Sequence, residues 1–485
     1  MSFIAIDLES AASVEPPRYF GQLIPVAPAH TGRYDVAKKV KRASASVPAG
    51  SRKRSTAPLP LNWTQWLHPE GKLYFFCDDG LRVVTDSYML DASTAAKVDA
   101  WIYEIRLKAK SGGIILGEKV ELFLQVTSDN DCNYYFVNLE SRALFWLEDC
   151  STSALGLLDV VSDTHLGLVL EAEYWAHIEN FCMHLGGLPQ NSIDDLILVF
   201  THGLADTLTS TLSTFPYDAT ASEKILNLLN HSRDKISKGE VVTLVARFWG
   251  LIVYNRYLTH HGEEQARLSR DSSIIDADEA EEIQWTRTAF SMMSFGTFKP
   301  YMKKFDGLFV DSLVYGFEWE SFMKSCISGW RDSIALSFGL LLLHVFCFFL
   351  PISSILASIS GLTSSLSILV AILLLHRHEE LGKSDASSAH EYLTSVKSST
   401  FGFQGIAFAF SLPKALSILS FLALFSQWAF LGYNLVVSHP VALIAPLFVL
   451  MVLFAVIAST STTLHFRVPS FRFWNASMKT EASMV

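Results

Sequence analysis

Two long apolar stretches near the C-terminus dominate the pattern of hydrophobic and polar positions. Residues 333–375 and 415–466 contain no Asp, Glu, Lys or Arg. Each stretch is about twice the length that a helix needs to cross a hydrocarbon core of ~30 Å. Pro351 and Pro440 lie near the two midpoints, where the chain can reverse. The pattern predicts two transmembrane hairpins, 333–375 and 415–461, and therefore about four spans.

The pattern changes twice in the part of the chain that precedes these spans. Residues 58–150 show short alternating apolar runs, which predict a small β-rich module with one helix at 94–109. Residues 151–332 show helical periodicity, which predicts an α-helical cytosolic domain. The predicted fold class is therefore α+β with a membrane region: a small β module, an α-helical middle domain and a C-terminal bundle of about four transmembrane helices.

The remaining segments are polar or of mixed character. Residues 1–57 are rich in Ala, Ser, Pro and basic residues, which predicts a disordered tail with basic clusters. Those clusters suit contact with anionic lipid head groups, although a solvated basic linker has the same composition. Residues 376–414 are predicted to be a cytosolic loop with an aromatic interfacial segment, and residues 462–485 a cytosolic tail.

Charge and cysteine usage restrict the location of the protein and the classes of partner. Lys and Arg flank the spans but are missing from the two short reversals, so we expect both termini and the central loop in the cytosol. The net charge of −10 gives no support to nucleic-acid binding. Six scattered cysteines show no metal-ligand spacing, and we predict neither a metal nor a cofactor.

The start of the β module resembles a WW domain, a three-stranded sheet that binds proline-rich ligands. Leu-Pro precedes Trp63, and eleven residues separate Trp63 from Tyr74, which Phe75 follows. The resemblance implies that Trp63 and Phe75 hold the sheet together and that Tyr74 lies in a ligand groove. The family's second Trp, eleven residues after the groove Tyr, is Thr85 in this chain.

A second stretch is similar to the later half of the same domain. Tyr135 is followed by Phe136 and then, eleven residues after Tyr135, by Trp146. The resemblance implies that Tyr135 and Trp146 form an aromatic slot for a preordered proline helix. The alternative is that both aromatics are core residues of an αβ domain. We therefore treat 58–150 as one module with the candidate binding aromatics Trp63, Tyr74, Phe75, Tyr135 and Trp146.

The N-terminal tail also carries a ligand motif of the kind that WW domains bind. Pro16, Pro17 and Tyr19 form a PPxY sequence. Two partners follow: the chain's own Tyr135–Trp146 slot, or a ubiquitin ligase of the HECT type, whose WW domains read PPxY on membrane adaptors.

The overall arrangement resembles uncharacterised fungal multi-pass membrane proteins with a degenerate WW domain. No P-loop, dinucleotide fingerprint, HExxH or nucleophile elbow is present in the sequence, and we predict that the protein is not an enzyme. We predict a membrane-anchored interaction or scaffold protein whose WW-like module binds protein segments, with membrane lipids as further partners. The alternative is a transport or lipid-handling membrane protein with a regulatory cytosolic domain.

Overall fold

A computed structural model describes residues 21–33, 41–44, 46–47, 49–50, 58–275, 284–347, 354–383, 385–438 and 448–453. The chain divides into two compact units. The first, which we call the α/β unit, comprises residues 1–282, 303–322 and 383–400. The second, which we call the apolar-helix unit, comprises residues 283–302, 323–382 and 401–485.

A mixed seven-stranded sheet forms the base of the α/β unit. Its strands are β1 (Leu23–Pro25), β2 (Trp63–Leu67), β3 (Leu73–Asp78), β4 (Arg82–Thr85), β5 (Val120–Val126), β6 (Cys132–Asn138) and β7 (Ala143–Phe145). The strand order is β1-β6-β5-β4-β3-β2, and β7 also pairs with β6. The predicted strands of both WW-like stretches are therefore present, but they belong to one sheet.

Two antiparallel meanders, β2-β3-β4 and β5-β6-β7, are joined in the middle of the sheet by a parallel pair. Helix α1 (Ala92–Ser111) provides the crossover, because β4 and β5 run parallel. The Asp91 carboxylate caps this helix by accepting from the Thr94 N–H at 2.9 Å. The helix predicted at 94–109 is thus confirmed, and its crossover prevents the first meander from being a separate three-stranded domain.

Helices α1 and α2 pack on the two faces of the sheet. The helices of the described chain that follow α1 are α2 (Asp163–Asn180), α3 (Gln190–Thr209), α4 (Ala219–Ser232), α5 (Gly239–Leu258), α6 (Gln284–Met293), α7 (Phe298–Leu308), α8 (Gly316–Cys347), α9 (Ser354–His378), α10 (Ala386–Val396) and α11 (Gln404–Ser438). On one face α1 packs through Val98, Trp101 and Ile105. On the other face lie α2 and, beyond it, the helices that pack on α2.

The core of the second face crosses the predicted boundary at residue 150. Tyr74, Phe123 and Tyr135 of the sheet share one buried cluster with Trp175 of α2 and Trp249 of α5. The two indole rings stack with centroids 5.8 Å apart. Because one continuous core joins the strands to these helices, the described part of 58–258 forms a single α/β layer structure, not a β module followed by a helical domain.

Part of the tail predicted to be disordered belongs to this unit. Strand β1 pairs in parallel with β6, and Val26 N–H donates to the Tyr134 carbonyl at 3.1 Å. A short 3₁₀ turn, Pro28–His30, follows and lies on α2, where Ala29 N–H donates to Glu173 at 2.9 Å. We call residues 21–33 the strap. Composition misleads here because three strand residues suffice to complete a sheet edge.

Three helices within the described residues are long and apolar enough to cross a membrane: Gly316–His344, Ile355–His378 and Gln404–Asn434. They overlap the predicted hairpin 333–375 and the first half of the predicted hairpin 415–461. Helix α11 begins at Gln404, within the predicted loop 376–414, and runs continuously through Pro413. The Pro413 carbonyl accepts from the hydroxyls of Ser367 on α9 and Ser417 on α11. Most of the fourth predicted span lies outside the described residues.

Serine side chains connect these three helices within the apolar-helix unit. Ser337 of α8, Ser367 of α9 and Ser417 of α11 meet with oxygen–oxygen distances of 2.8–3.0 Å. His344 contacts Ser360 through Nε2 at 2.5 Å. Small hydroxyl side chains allow helices to approach closely in lipid and to bond across the interface. Hydroxyl contacts thus hold α8, α9 and α11 together.

Candidate functional site

The five aromatic residues predicted to bind ligand are divided between the two faces of the sheet. Trp63 and Phe75 lie in the cluster under α1, whereas Tyr74 and Tyr135 lie under α2. Strand residues alternate between faces, so the neighbours Tyr74 and Phe75 must point in opposite directions. Trp146 is half-buried and borders both clusters. The structure therefore does not bring these five side chains into one groove.

The predicted slot between Tyr135 and Trp146 is not an open surface. Tyr74, Phe75 and Tyr135 are all 0% exposed. The Trp146 indole N–H donates to the Val26 carbonyl at 3.0 Å, so the strap occupies its polar edge. Trp63 and Phe75 share one core cluster. The alternative, in which Tyr135 and Trp146 pack within an αβ domain, is the one that the structure shows.

The PPxY motif lies outside the described residues. Pro16, Pro17 and Tyr19 precede the strap, and their binding to a WW domain stays a prediction. The internal partner proposed for this motif, the Tyr135–Trp146 slot, is closed in the described structure because Tyr135 is buried.

The two WW-like tyrosines have a different role, in a buried polar network centred on Glu121. His177 and His184 donate from Nε2 to the Glu121 carboxylate at 3.0 and 2.9 Å. The remaining imidazole nitrogens accept from tyrosine hydroxyls: Tyr135 on His177 and Tyr74 on His184, both at 3.1 Å. Each meander thus contributes one tyrosine, and each tyrosine bonds a histidine that in turn bonds the Glu121 carboxylate.

Charge in this network is balanced by an arginine on β4. Arg82 donates to Glu121 from Nε at 3.1 Å and from Nη2 at 2.9 Å. Burial disfavours ionisation of Glu121, but the imidazoles of His184 and His177 outweigh it and hold the pKa of this carboxyl well below its usual range. Burial lowers the pKa of His177 despite the opposing effect of Glu121. The network therefore contains an ionised Glu121 carboxylate, the Arg82 guanidinium and a neutral His177.

This network stabilises the packing of helices on the sheet. Glu121 and the side chains of both histidines are 0% exposed, and none of these groups lines either cavity described below. One position in the sequence indicates such a network: Glu121 interrupts the apolar strand VELFLQV. A carboxylate at an inward strand position requires buried donors.

A cleft of about 410 Å³ lies elsewhere in the α/β unit, between α3 and α5. Its apolar part contains Leu198, Val199, Ile252 and Phe215. Gly203 permits this arrangement, because a Cβ at that position would lie 2.4 Å from the Phe215 ring. Clefts of this size that combine an apolar wall with a few polar groups are the usual form of small-molecule sites.

The polar side of this cleft, which we call the α3–α5 cleft, contains one arginine and one acid. Arg256, His202 and His261 line it, and the acid, Asp206, accepts from the Ser213 hydroxyl. Burial, followed by the charge of Arg256, lowers the pKa of His261, which favours the neutral imidazole. Selection of an anionic group by the cleft therefore depends on Arg256.

Arg256 is the most distinctive side chain of the cleft. It is half-buried, and its guanidinium carbon lies 5.5 Å from the centroid of the Trp249 ring. Among the described residues no carboxylate lies within ion-pair distance of it. Burial lowers its pKa, an effect that Glu171 opposes from a distance, but a guanidinium stays charged. A partly desolvated cation without a bonded acid is ready to receive one from a ligand.

Comparison with known proteins identifies no relative: no protein-family model, no curated protein and no solved structure matches the chain. No group of three or more His, Cys, Asp or Glu side chains within the described ranges is placed to hold a metal ion.

Proposed function

We propose that this protein is a membrane-anchored binding protein whose α/β unit holds a small anionic ligand in the α3–α5 cleft. The observation that carries the proposal is Arg256, a half-buried guanidinium that lines a 410 Å³ cleft and has no bonded acid among the described residues. The ligand carries a carboxylate or phosphate group for Arg256 and an apolar body for the wall around Phe215.

This proposal keeps the expected class of function, a binding protein anchored at a membrane, and changes its site. The WW-like aromatics are committed to the core, so they do not offer a peptide groove. The cleft, in contrast, is open to solvent through His202 and His261, which are exposed. Three helices suited to membrane spanning support the anchoring.

The test is ligand binding to the full-length protein in a maltoside detergent. Inorganic phosphate, phenyl phosphate and hexanoate serve as probes, and isothermal titration calorimetry measures affinity. A charge-assisted hydrogen bond contributes about 1.5–3 kcal/mol, so Arg256→Met should weaken the best probe roughly 10–150-fold. Phenyl phosphate should bind more tightly than inorganic phosphate because the ring reaches the apolar wall.

The matched control is Arg106→Met, which removes an exposed arginine on α1, far from the cleft in the sequence. It should bind every probe as the wild-type protein does. A second variant, Gly203→Ala, displaces the Phe215 ring and should weaken phenyl phosphate more than inorganic phosphate. Absence of binding by all probes, or equal binding by the Arg256 and Arg106 variants, would show the proposal to be wrong.

A further inference from the structure

A second cavity lies on the opposite side of helix α5. It has a volume of about 240 Å³ and is enclosed by the strap, the loop 156–158, α2 and α5. Tyr254 and Tyr257 face it, whereas Ile252, Asn255 and Arg256 face the α3–α5 cleft. At 100° per residue these two sets occupy opposite sides of the helix, so the cavities are separate.

The polar group of this second cavity is an acid. Glu173 lines the cavity, and its carboxylate accepts from the Ala29 N–H of the strap at 2.9 Å. Burial raises the pKa of Glu173, against the opposing effects of Ala29 and His30. No lysine or arginine lies within ion-pair distance of it among the described residues. A cation bound in the cavity would compensate the desolvated carboxylate.

The remaining walls suit a cation that needs few hydrogen bonds. The Tyr257 ring is stacked on His165, with centroids 4.5 Å apart, and on Tyr254, with centroids 6.2 Å apart. The Tyr257 hydroxyl donates to the Asp159 carbonyl at 2.7 Å, so this ring is held in place and its hydroxyl is occupied. Leu157, Val169 and Ala172 form an apolar wall. Because these three side chains offer no hydrogen-bond acceptor, the cavity favours a methylated ammonium over a primary amine.

His30 closes one end of the cavity. Its ring packs on Gly156, where a Cβ would lie 3.2 Å from the imidazole. Gly156 has φ +69°, a left-handed conformation that glycine adopts without strain. The strap therefore contributes to the cavity both a ring and the backbone N–H that orients Glu173, which makes residues 28–30 part of the site as well as part of the fold.

We propose that this second cavity binds a quaternary ammonium group between Glu173 and the ring of Tyr254, with Tyr257 as a further wall. Aromatic rings together with a carboxylate are the chemistry that recognises such cations, because the ring faces attract charge and the methyl groups need no acceptors. A free solute and a lipid head group of the choline type both present the same trimethylammonium.

The experiment titrates choline chloride into the full-length protein in maltoside detergent and follows heat and thermal midpoint. Choline should bind, and ethanolamine should bind at least about tenfold more weakly, because its ammonium loses hydrogen bonds to water that the cavity does not replace. Glu173→Gln should weaken choline at least about tenfold by removing the charge. Tyr254→Leu, at a 45% exposed position that folding tolerates, should weaken it as well.

The control is Glu171→Gln, two residues away on α2. Glu171 accepts from the Trp175 indole and lies 4.0 Å from Arg142, outside the cavity. This variant should bind choline as the wild-type protein does. Absence of choline binding by the wild-type protein overturns the proposal, and so does equal binding by the Glu173 and Glu171 variants. If Glu173→Gln does not fold, the Tyr254→Leu variant decides in the same way.

Nanodiscs distinguish the two sources of the cation. Phosphatidylcholine discs should suppress choline binding relative to phosphatidylglycerol discs if a head group reaches the cavity, and should leave it unchanged if the ligand is a free solute. Either outcome requires the choline site. Titration of phenyl phosphate in the Glu173→Gln variant reports on the α3–α5 cleft separately, so failure of one site does not imply failure of the other.

Discussion

Replacement of Glu121 by glutamine tests the principal stabilising interaction inferred for the α/β unit. The carboxylate is 0% exposed and accepts from His177, His184 and Arg82. Glutamine keeps the shape of the side chain but loses its charge. Its NH2 group would also face one of the donors from which the carboxylate accepts. Removal of one partner of a buried charge pair costs about 3–5 kcal/mol. Arg82 is 22% exposed and lies 3.9 Å from Asp78, so water and this second acid offset part of the loss.

We therefore expect Glu121→Gln to lower the free energy of unfolding by about 3 kcal/mol. For a unit of this size the corresponding decrease in thermal midpoint is about 6–12 °C. Tryptophan fluorescence during heating measures it, because Trp175 and Trp249 lie in the core above the network. Tyr135→Phe, which removes only one hydrogen bond to His177, should cost about 1 kcal/mol.

Glu118→Gln is the matched control, since Glu118 is exposed just before β5. It should change stability by less than about 0.5 kcal/mol. A change of less than about 1 kcal/mol in the free energy of unfolding of Glu121→Gln corresponds to less than a tenfold change in the unfolding equilibrium constant. Such a result would refute the assignment of the network as the junction between sheet and helices.

Two further predictions concern other buried ionisable groups. Arg33 is 8% exposed, and its three guanidinium nitrogens have no hydrogen-bond partner within the described structure. Arg33→Met should therefore raise the free energy of unfolding by about 1–4 kcal/mol and with it the thermal midpoint. A lower midpoint would contradict this. Burial lowers the pKa of His68 and His177 in the folded state, so the unfolded chain binds more protons below about pH 6.5 and stability should decrease from pH 7.5 to 5.5 in urea titrations. A flat profile would show that these imidazoles are not buried in neutral form.

The sequence predicts the local elements of this fold better than their assembly. The sequence predicts short strands within 58–150 and one helix at 94–109, and the structure has six strands there and α1 at Ala92–Ser111. Both signals act over a few residues. The pairing of β4 with β5 across a crossover, and of β1 with β6 over more than a hundred residues, depends on which apolar faces meet. Periodicity contains no information about that choice, so the prediction of one module at 58–150 does not specify which strands pair.

The candidate sites show the same division. Aromatic spacing identified Tyr74 and Tyr135 as special, and both do occupy equivalent places, but their hydroxyls bond buried histidines instead of a ligand. The spacing of a tyrosine does not reveal whether a helix will cover it. The sequence around Arg256 shows no motif that would mark it as a site residue. Its position beside a cleft follows from the packing of α5 on α3, which lies nearly fifty residues earlier in the chain.

The number of membrane spans can be tested directly, because an odd or an even number decides on which side of the membrane the C-terminal tail lies. Three helices suited to spanning put the two ends on opposite sides, and a fourth returns the tail to the side of the α/β unit. Residues 441–461 are long enough and carry no formal charge, and residues 448–453 are helical and exposed, which favours four spans. Asn475 and the exposed Asn230 both lie in Asn-x-Ser sequences. Expression with microsomes should leave both without glycan, because four spans keep both cytosolic. Glycan on Asn475 alone would establish an odd number of spans, and glycan on Asn230 would reverse the orientation inferred from the flanking lysines and arginines.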